Sequence, residues 1–224
     1  MLDWTWDRRL EHPPVGSQGL RSTCLSWAVT ASHNHAVGSD ADLSVEYLHW
    51  VTHKYPPGRG RVSSARQALE NDGQPPAIQW AYLEDLVEDP ATYCVPDAVR
   101  GPFQRGSVRV CGSDFDSIEV ELEAGRCPVV ALRVTDAFLA AAGGIVLEDG
   151  AGQDGHAVVA VGAARYSGAS SVVRDGTRFI CVRNSWGQSW GASGHALISE
   201  DAALACVIGA FAVVPADSAP EPGS

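Results

Sequence analysis

One segment narrows the outcomes more than any other: Gln18-Gly19-Leu20-Arg21-Ser22-Thr23-Cys24-Leu25-Ser26-Trp27, a glutamine six residues ahead of a cysteine that opens an apolar, helix-compatible run. The run predicts a helix from about Cys24 to Val37, with Trp27, Ala28, Ala31 and His35 near one face and Gly38 as its stop. A cysteine at a helix N-terminus meets unpaired backbone N–H groups and the positive end of the dipole. Far downstream, Gly155-His156-Ala157-Val158 and Asn184-Ser185-Trp186-Gly187 set an imidazole and a side-chain amide at the edges of apolar, strand-like runs.

The segments between are mainly helical in the first part of the chain and β-rich in the second. Residues 1–17 read as irregular because of His12-Pro13-Pro14. Ser44 is the expected N-cap of a helix reaching about Lys54, and Ser64 with Gln67 has the spacing of a capping box in a short helix closed by Gly73. Ser113 or Asp114 can cap another helix ending at Gly125. Strand-like runs follow at Pro128–Val134, His156–Gly162, Arg178–Arg183, His195–Ile198 and Val207–Val214. The expected organisation is a helical lobe over about 18–105, a β-rich lobe over about 106–215 and a disordered tail over 216–224.

Composition excludes several classes. A formal net charge of -11 opposes nucleic-acid binding, which needs a basic face. No apolar run approaches the ~20 residues of a membrane span, and Met1-Leu2-Asp3-Trp4 lacks the basic start of a signal peptide. The six cysteines contain no Cys-x-x-Cys pair, so no metal and no cofactor are expected. If Cys24 is a nucleophile, five cysteines remain and cannot all pair, which favours a reducing, cytoplasmic setting.

Cys24, His156, Asn184 and Gln18 together can carry acyl-transfer chemistry. A thiolate is the nucleophile, an imidazole partner takes and returns its proton, an uncharged amide orients that imidazole, and a glutamine N–H with the Cys24 backbone N–H can cradle an oxyanion. Taken singly, each has a plainer reading: a buried thiol, a strand-edge histidine, a turn asparagine. Their conjunction and order reverse that. His49 and His53 share a helix face without a third ligand and read as surface histidines; Trp190 reads as core, and Gly143-Gly144 as a turn.

Pro14-Val15-Gly16-Ser17-Gln18-Gly19 is similar to the Pro-Val-x-x-Gln-Gly of papain-like cysteine peptidases. Asn184-Ser185-Trp186-Gly187-Gln188-Ser189-Trp190-Gly191, followed by Gly194, resembles that family's Asn-Ser-Trp-Gly-x-x-Trp-Gly-x-x-Gly. The spacing from Cys24 to His156 also falls within the family's range of about 130–150 residues, while Asn184 lies slightly beyond it. The resemblance, over roughly residues 3–215, implies an α+β, papain-like two-lobed fold and hydrolysis of peptide bonds through a thioester. Cys24 is then the nucleophile, His156 the base and acid, Asn184 its orienter and Gln18 an oxyanion donor. Trp186 covers the histidine or meets substrate, Gly60 replaces the family's glycine pair against the substrate backbone, and Gly155 leaves the pocket open.

The departures shape further expectations. Arg21 stands where secreted members have a disulfide cysteine, and the family's disulfide framework is missing, as in compact bacterial relatives. Seventeen residues precede Gln18, whereas family zymogens carry a long prosegment, so a regulatory protein partner is expected to restrain activity. The partners expected are a peptide or protein substrate and this regulator, with no nucleic acid and no membrane. A papain-like acyltransferase or transpeptidase, and a catalytically silent papain-fold binding module, are the alternatives.

Overall fold

The computed structural model describes residues 1–38, 42–86, 88–89, 92–147, 152 and 154–216, so the expected tail lies, beyond Ala216, outside the described residues. Helices α1 (Cys24–Val37), α2 (Val45–Val51) and α3 (Val62–Asn71) precede most of the sheet. Strands β2 (Gly106–Cys111), β3 (Val129–Arg133), β4 (Ile145–Val146), β5 (Gly155–Tyr166), β6 (Arg178–Arg183), β7 (His195–Ser199) and β8 (Val207–Pro215) follow, interrupted by α4 (Phe115–Glu123), α5 (Asp136–Ala140) and α6 (Glu200–Cys206).

The first seventeen residues are not irregular throughout: Leu2–Asp7 form a strand, β1, antiparallel to the second half of β5. Leu2, Trp4 and Trp6 alternate with exposed neighbours, a period-2 pattern that an edge strand needs and that prolines further on do not disturb. The eight-stranded sheet runs β2-β8-β3-β5-β6-β7-β4, with β1 attached to β5, and no ladder among the described residues closes it between β2 and β4.

Strand β5 is the axis of the fold. Its side chains alternate: Ala157, Val159 and Val161 enter the core shared with α1, while Val158 and Ala160 enter the core on the other face, beneath α4 and α6. Both faces are covered, which accounts for an apolar run without polar alternation. A bulge at Val161, between the paired Ala160 and Gly162, shifts the register, so that Ala163 joins the second core. A Cβ at Gly162 would lie 2.5 Å from the Trp6 carbonyl oxygen, so only glycine lets β1 approach.

Helix α1 ends as expected, with Gly38 at φ 58 donating its N–H to the carbonyls of Asn34 and His35. Its buried residues, however, are Ser26, Ala28, Val29, Thr30, Ser32 and His33, whereas Trp27, Ala31 and His35 are only partly buried. The helix lies between the sheet and α2, so burial wraps around it and its apolar periodicity is weak. Ser44 caps α2, accepting from the Tyr47 N–H at 3.0 Å, and Asp114 caps α4. The capping box at Ser64 does not form: α3 starts two residues earlier, and the Ser64 hydroxyl donates to the Tyr55 carbonyl and accepts from the Gly58 N–H. His49 is buried rather than on the surface, because Glu88 supplies a partner 2.9 Å from Nε2. Arg59, in the loop before α3, is drawn to the same Glu88 carboxylate.

Candidate active site

The topology delivers three side chains to one end of the sheet. Strand β5 begins at Gly155-His156 and antiparallel β6 ends at Arg183, one residue before Asn184, so the histidine and asparagine emerge side by side. Helix α1 packs on β5 with Cys24 as its first residue. The segment carrying Gln18 adds itself alongside: Gln18 N–H donates to the Ser185 carbonyl at 2.8 Å, and Gly187 N–H to the Gly16 carbonyl at 3.0 Å.

Hydrogen bonding determines the orientation of both amides. Asn184 Oδ1 accepts the Ser185 backbone N–H at 2.8 Å, so it is the oxygen, and the His156 Nε2 at 2.7 Å must be the donor. His156 therefore carries its proton on Nε2 and keeps a lone pair on Nδ1. Gln18 Oε1 accepts the Ser185 hydroxyl at 2.7 Å, and Nε2 donates to the Arg21 carbonyl at 2.8 Å. An amide has two N–H groups, so one remains for a ligand.

The helix start is shaped for an anion. Thr23, the N-cap residue, makes no side-chain cap; its hydroxyl bonds Tyr82 at 2.7 Å, and Tyr82 donates to the Gln18 carbonyl at 2.9 Å. The first-turn N–H groups are thus left uncapped by Thr23. Burial pushes the Cys24 thiol up, while hydrogen bonds with the backbone of Ala157, Leu25 and Cys24 itself pull it down. Burial lowers His156, partly offset by Asn184. Both directions favour a neutral thiol–imidazole pair before substrate enters, in which Nδ1 is free to accept a proton.

The Trp186 ring lies 4.6 Å from that of His156 at 34°, and Phe138 stands edge-on at 5.6 Å from Trp186 and 6.0 Å from His156. This shields the His156–Asn184 hydrogen bond from water. Trp190 is core, as expected, with its N–H 3.3 Å from the Phe138 carbonyl. Gly155 is exposed, and a Cβ there would meet nothing within 4 Å. Gly60 is exposed in the loop before α3, with no described contact to Cys24 or His156.

Sequence reasoning missed the anchors of this arrangement. Ser185 locks Gln18, and Arg21, whose carbonyl holds the Gln18 amide, is itself fixed by a bidentate pair with Glu46, each bond 2.7 Å. A carboxylate in the Leu43-Ser44-Val45-Glu46-Tyr47 block, among residues that must face inward, was the available signal. No disulfide joins the six cysteines.

The sequence model of the family described as papain family cysteine protease matches residues 98–216, which include His156 and Asn184. No curated protein sequence matches the chain. Among solved structures, the clostridial cysteine protease Cwp84 is 17% identical with TM-score 0.72, covering 94% of this chain and 56% of its own length. The chain thus spans little more than half of that protein. Xylellain, a cysteine protease from Xylella fastidiosa, is 18% identical with TM-score 0.66, covering 95% of this chain and 91% of its own. The Carica candamarcensis cysteine protease CMS1MS2 is 20% identical with TM-score 0.68, covering 93% and 97%. These likenesses extend over the N-terminal helices that the family match does not reach, and the fold is theirs.

Proposed function

The chain belongs to the papain family of cysteine proteases, and from that premise we propose that it hydrolyses peptide bonds through a thioester on Cys24. The observation that carries this reading is the His156 Nε2–Asn184 Oδ1 hydrogen bond of 2.7 Å, which leaves His156 Nδ1 as the base. Cys24 Sγ attacks the scissile carbonyl carbon as His156 Nδ1 takes the thiol proton. The carbonyl oxygen becomes an oxyanion, held by the spare Gln18 N–H and the Cys24 backbone N–H. Collapse breaks the C–N bond and passes the proton to the departing amine. Water then attacks the thioester, His156 removes its proton, and cleavage of the C–S bond returns the thiol and a carboxylic acid.

Asn184 keeps the imidazole in the productive tautomer, with Trp186 over it. Gly155 keeps the rim beside His156 open to a substrate side chain, and Gly60 supplies backbone to an extended peptide. A reducing, cytoplasmic setting in a bacterium is part of the same reading, supported by six cysteines that are all thiols. No described helix is long and apolar enough to cross a membrane.

The test is alkylation of the six thiols as a function of pH, mapped by mass spectrometry, beside cleavage of a peptide library. Cys24 is expected to react fastest near neutral pH, to lose that advantage in His156→Ala, and to be essential for cleavage. Reactivity that rises only near pH 8.5 in both proteins, together with no cleavage, would overturn the proposal.

A further inference from the structure

Three side chains that the peptidase site does not use meet at the end of α1 opposite Cys24. His12 from the segment after β1, His35 from the last turn of α1 and Cys127 from the approach to β3 bring one ligand atom each within 4.8 Å of one another. Cys127 is fully enclosed and His12 is 8% exposed. Neither ring nitrogen of His12 has a hydrogen-bond partner among the described residues. Burying an imidazole with both nitrogens unmatched costs free energy that a ligand could return.

The neighbouring geometry points to a cation as that ligand. His35 Nε2 lies 2.9 Å from the Gly125 carbonyl, which can only accept, so Nε2 donates there and Nδ1 is the nitrogen left for a ligand. Nδ1 faces Glu11 Oε2 at 3.4 Å. Donors sharing one tetrahedral ion at about 2.1 Å stand about 3.4 Å apart, and two imidazoles on that ion have ring centres roughly 5 Å apart. The His12 and His35 rings are 5.5 Å apart. The Nε2–H to carbonyl bond of His35 is also the outer contact that metal-bound histidines use to fix their tautomer.

We propose that His12, His35 and Cys127 bind a divalent transition-metal ion of the zinc class. Binding exchanges the Cys127 thiol proton, released to solvent, for a metal–thiolate bond. Two imidazole nitrogens and a thiolate suit zinc and leave no redox role. The ion ties three segments together: the stretch that leads from β1 to Gln18, the C-terminal end of the helix that starts at Cys24, and the strand beside β5. It would act as a structural clip. The ligands come from positions 12, 35 and 127, so no short spacing announces them.

Cobalt(II) titration of metal-stripped, full-length Cys24→Ser protein tests this without the peptidase thiol as a competing ligand. One equivalent is expected to bind with a cobalt–thiolate charge-transfer band and tetrahedral d–d bands, and one equivalent of zinc is expected to displace it. The charge-transfer band is expected to vanish in Cys127→Ser and persist in Cys111→Ser. His12→Gln and His35→Gln are expected to weaken binding at least about tenfold. His35 is partly exposed, so its variant keeps the test valid if the buried substitutions prevent folding. Absence of the band in folded protein, or its survival in both Cys127→Ser and His35→Gln, would overturn the proposal.

Discussion

Replacing Arg21 by methionine probes what stands in this fold where secreted relatives have a disulfide cysteine. The side chains of Arg21 and Glu46 are 8% and 0% exposed. Glu46 also accepts the Leu83 N–H at 3.3 Å and the Tyr93 hydroxyl, while Arg21 also donates to the Leu83 carbonyl and to Glu88. Burial alone would raise the Glu46 carboxyl, but hydrogen bonds from Arg21 and Tyr93 outweigh it and hold it below the usual range. Arg21→Met leaves a buried carboxylate with only neutral donors, a change that costs about 3–5 kcal/mol. At about 2–4 °C per kcal/mol for a chain of this size, Tm is expected to fall by roughly 6–20 °C. Because the folded Glu46 is depressed, its contribution is present above its unfolded pKa and fades as pH drops through the folded one. The gap between wild type and Arg21→Met in urea denaturation should therefore be widest near pH 7 and narrow below about pH 4.5. Arg21→Met with Glu46→Gln should cost less than the sum of the single changes. A loss under about 1 kcal/mol with additive effects, as for an exposed pair, would refute the reasoning.

Gln18→Ala is expected to lower kcat by about 10²–10³ with KM little changed, since the spare amide N–H serves an oxyanion that the bound substrate does not yet carry. Single-turnover peptide hydrolysis reads this. Asn184→Ala removes a hydrogen bond to an imidazole that becomes charged, worth about 1.5–3 kcal/mol, so kcat/KM should drop about 10–150-fold while Cys24 stays alkylatable. Burial lowers both His49 and His156, so below about pH 6.5 the unfolded chain binds more protons than the folded one. Stability should then fall with acidification, each histidine contributing up to about 1.4 kcal/mol per pH unit, and a urea midpoint flat from pH 7.5 to 5.5 would count against it.

Much of this protein was legible in residue order. The run after Thr23 and the glycine at 38 bound α1 correctly, Ser44 and Asp114 cap where expected, and Arg178–Arg183 is a strand end to end. These features depend on neighbours a few positions apart, which is why local pattern reaches them. The proposal of Cys24, His156, Asn184 and Gln18 as a set rests on motif order.

Tertiary structure decided what those residues can do. Only the antiparallel pairing of β5 with β6 brings positions 156 and 184 together, and only the Ser185 N–H and hydroxyl determine which way the two amides face. The same holds for β1, an unremarked edge until Gly162 admits it, and for His12, His35 and Cys127, which lie far apart in sequence. Propensity acts over a turn of helix or a strand's length, whereas hydrogen-bond direction and ligand geometry are properties of groups that meet only after the chain has closed on itself.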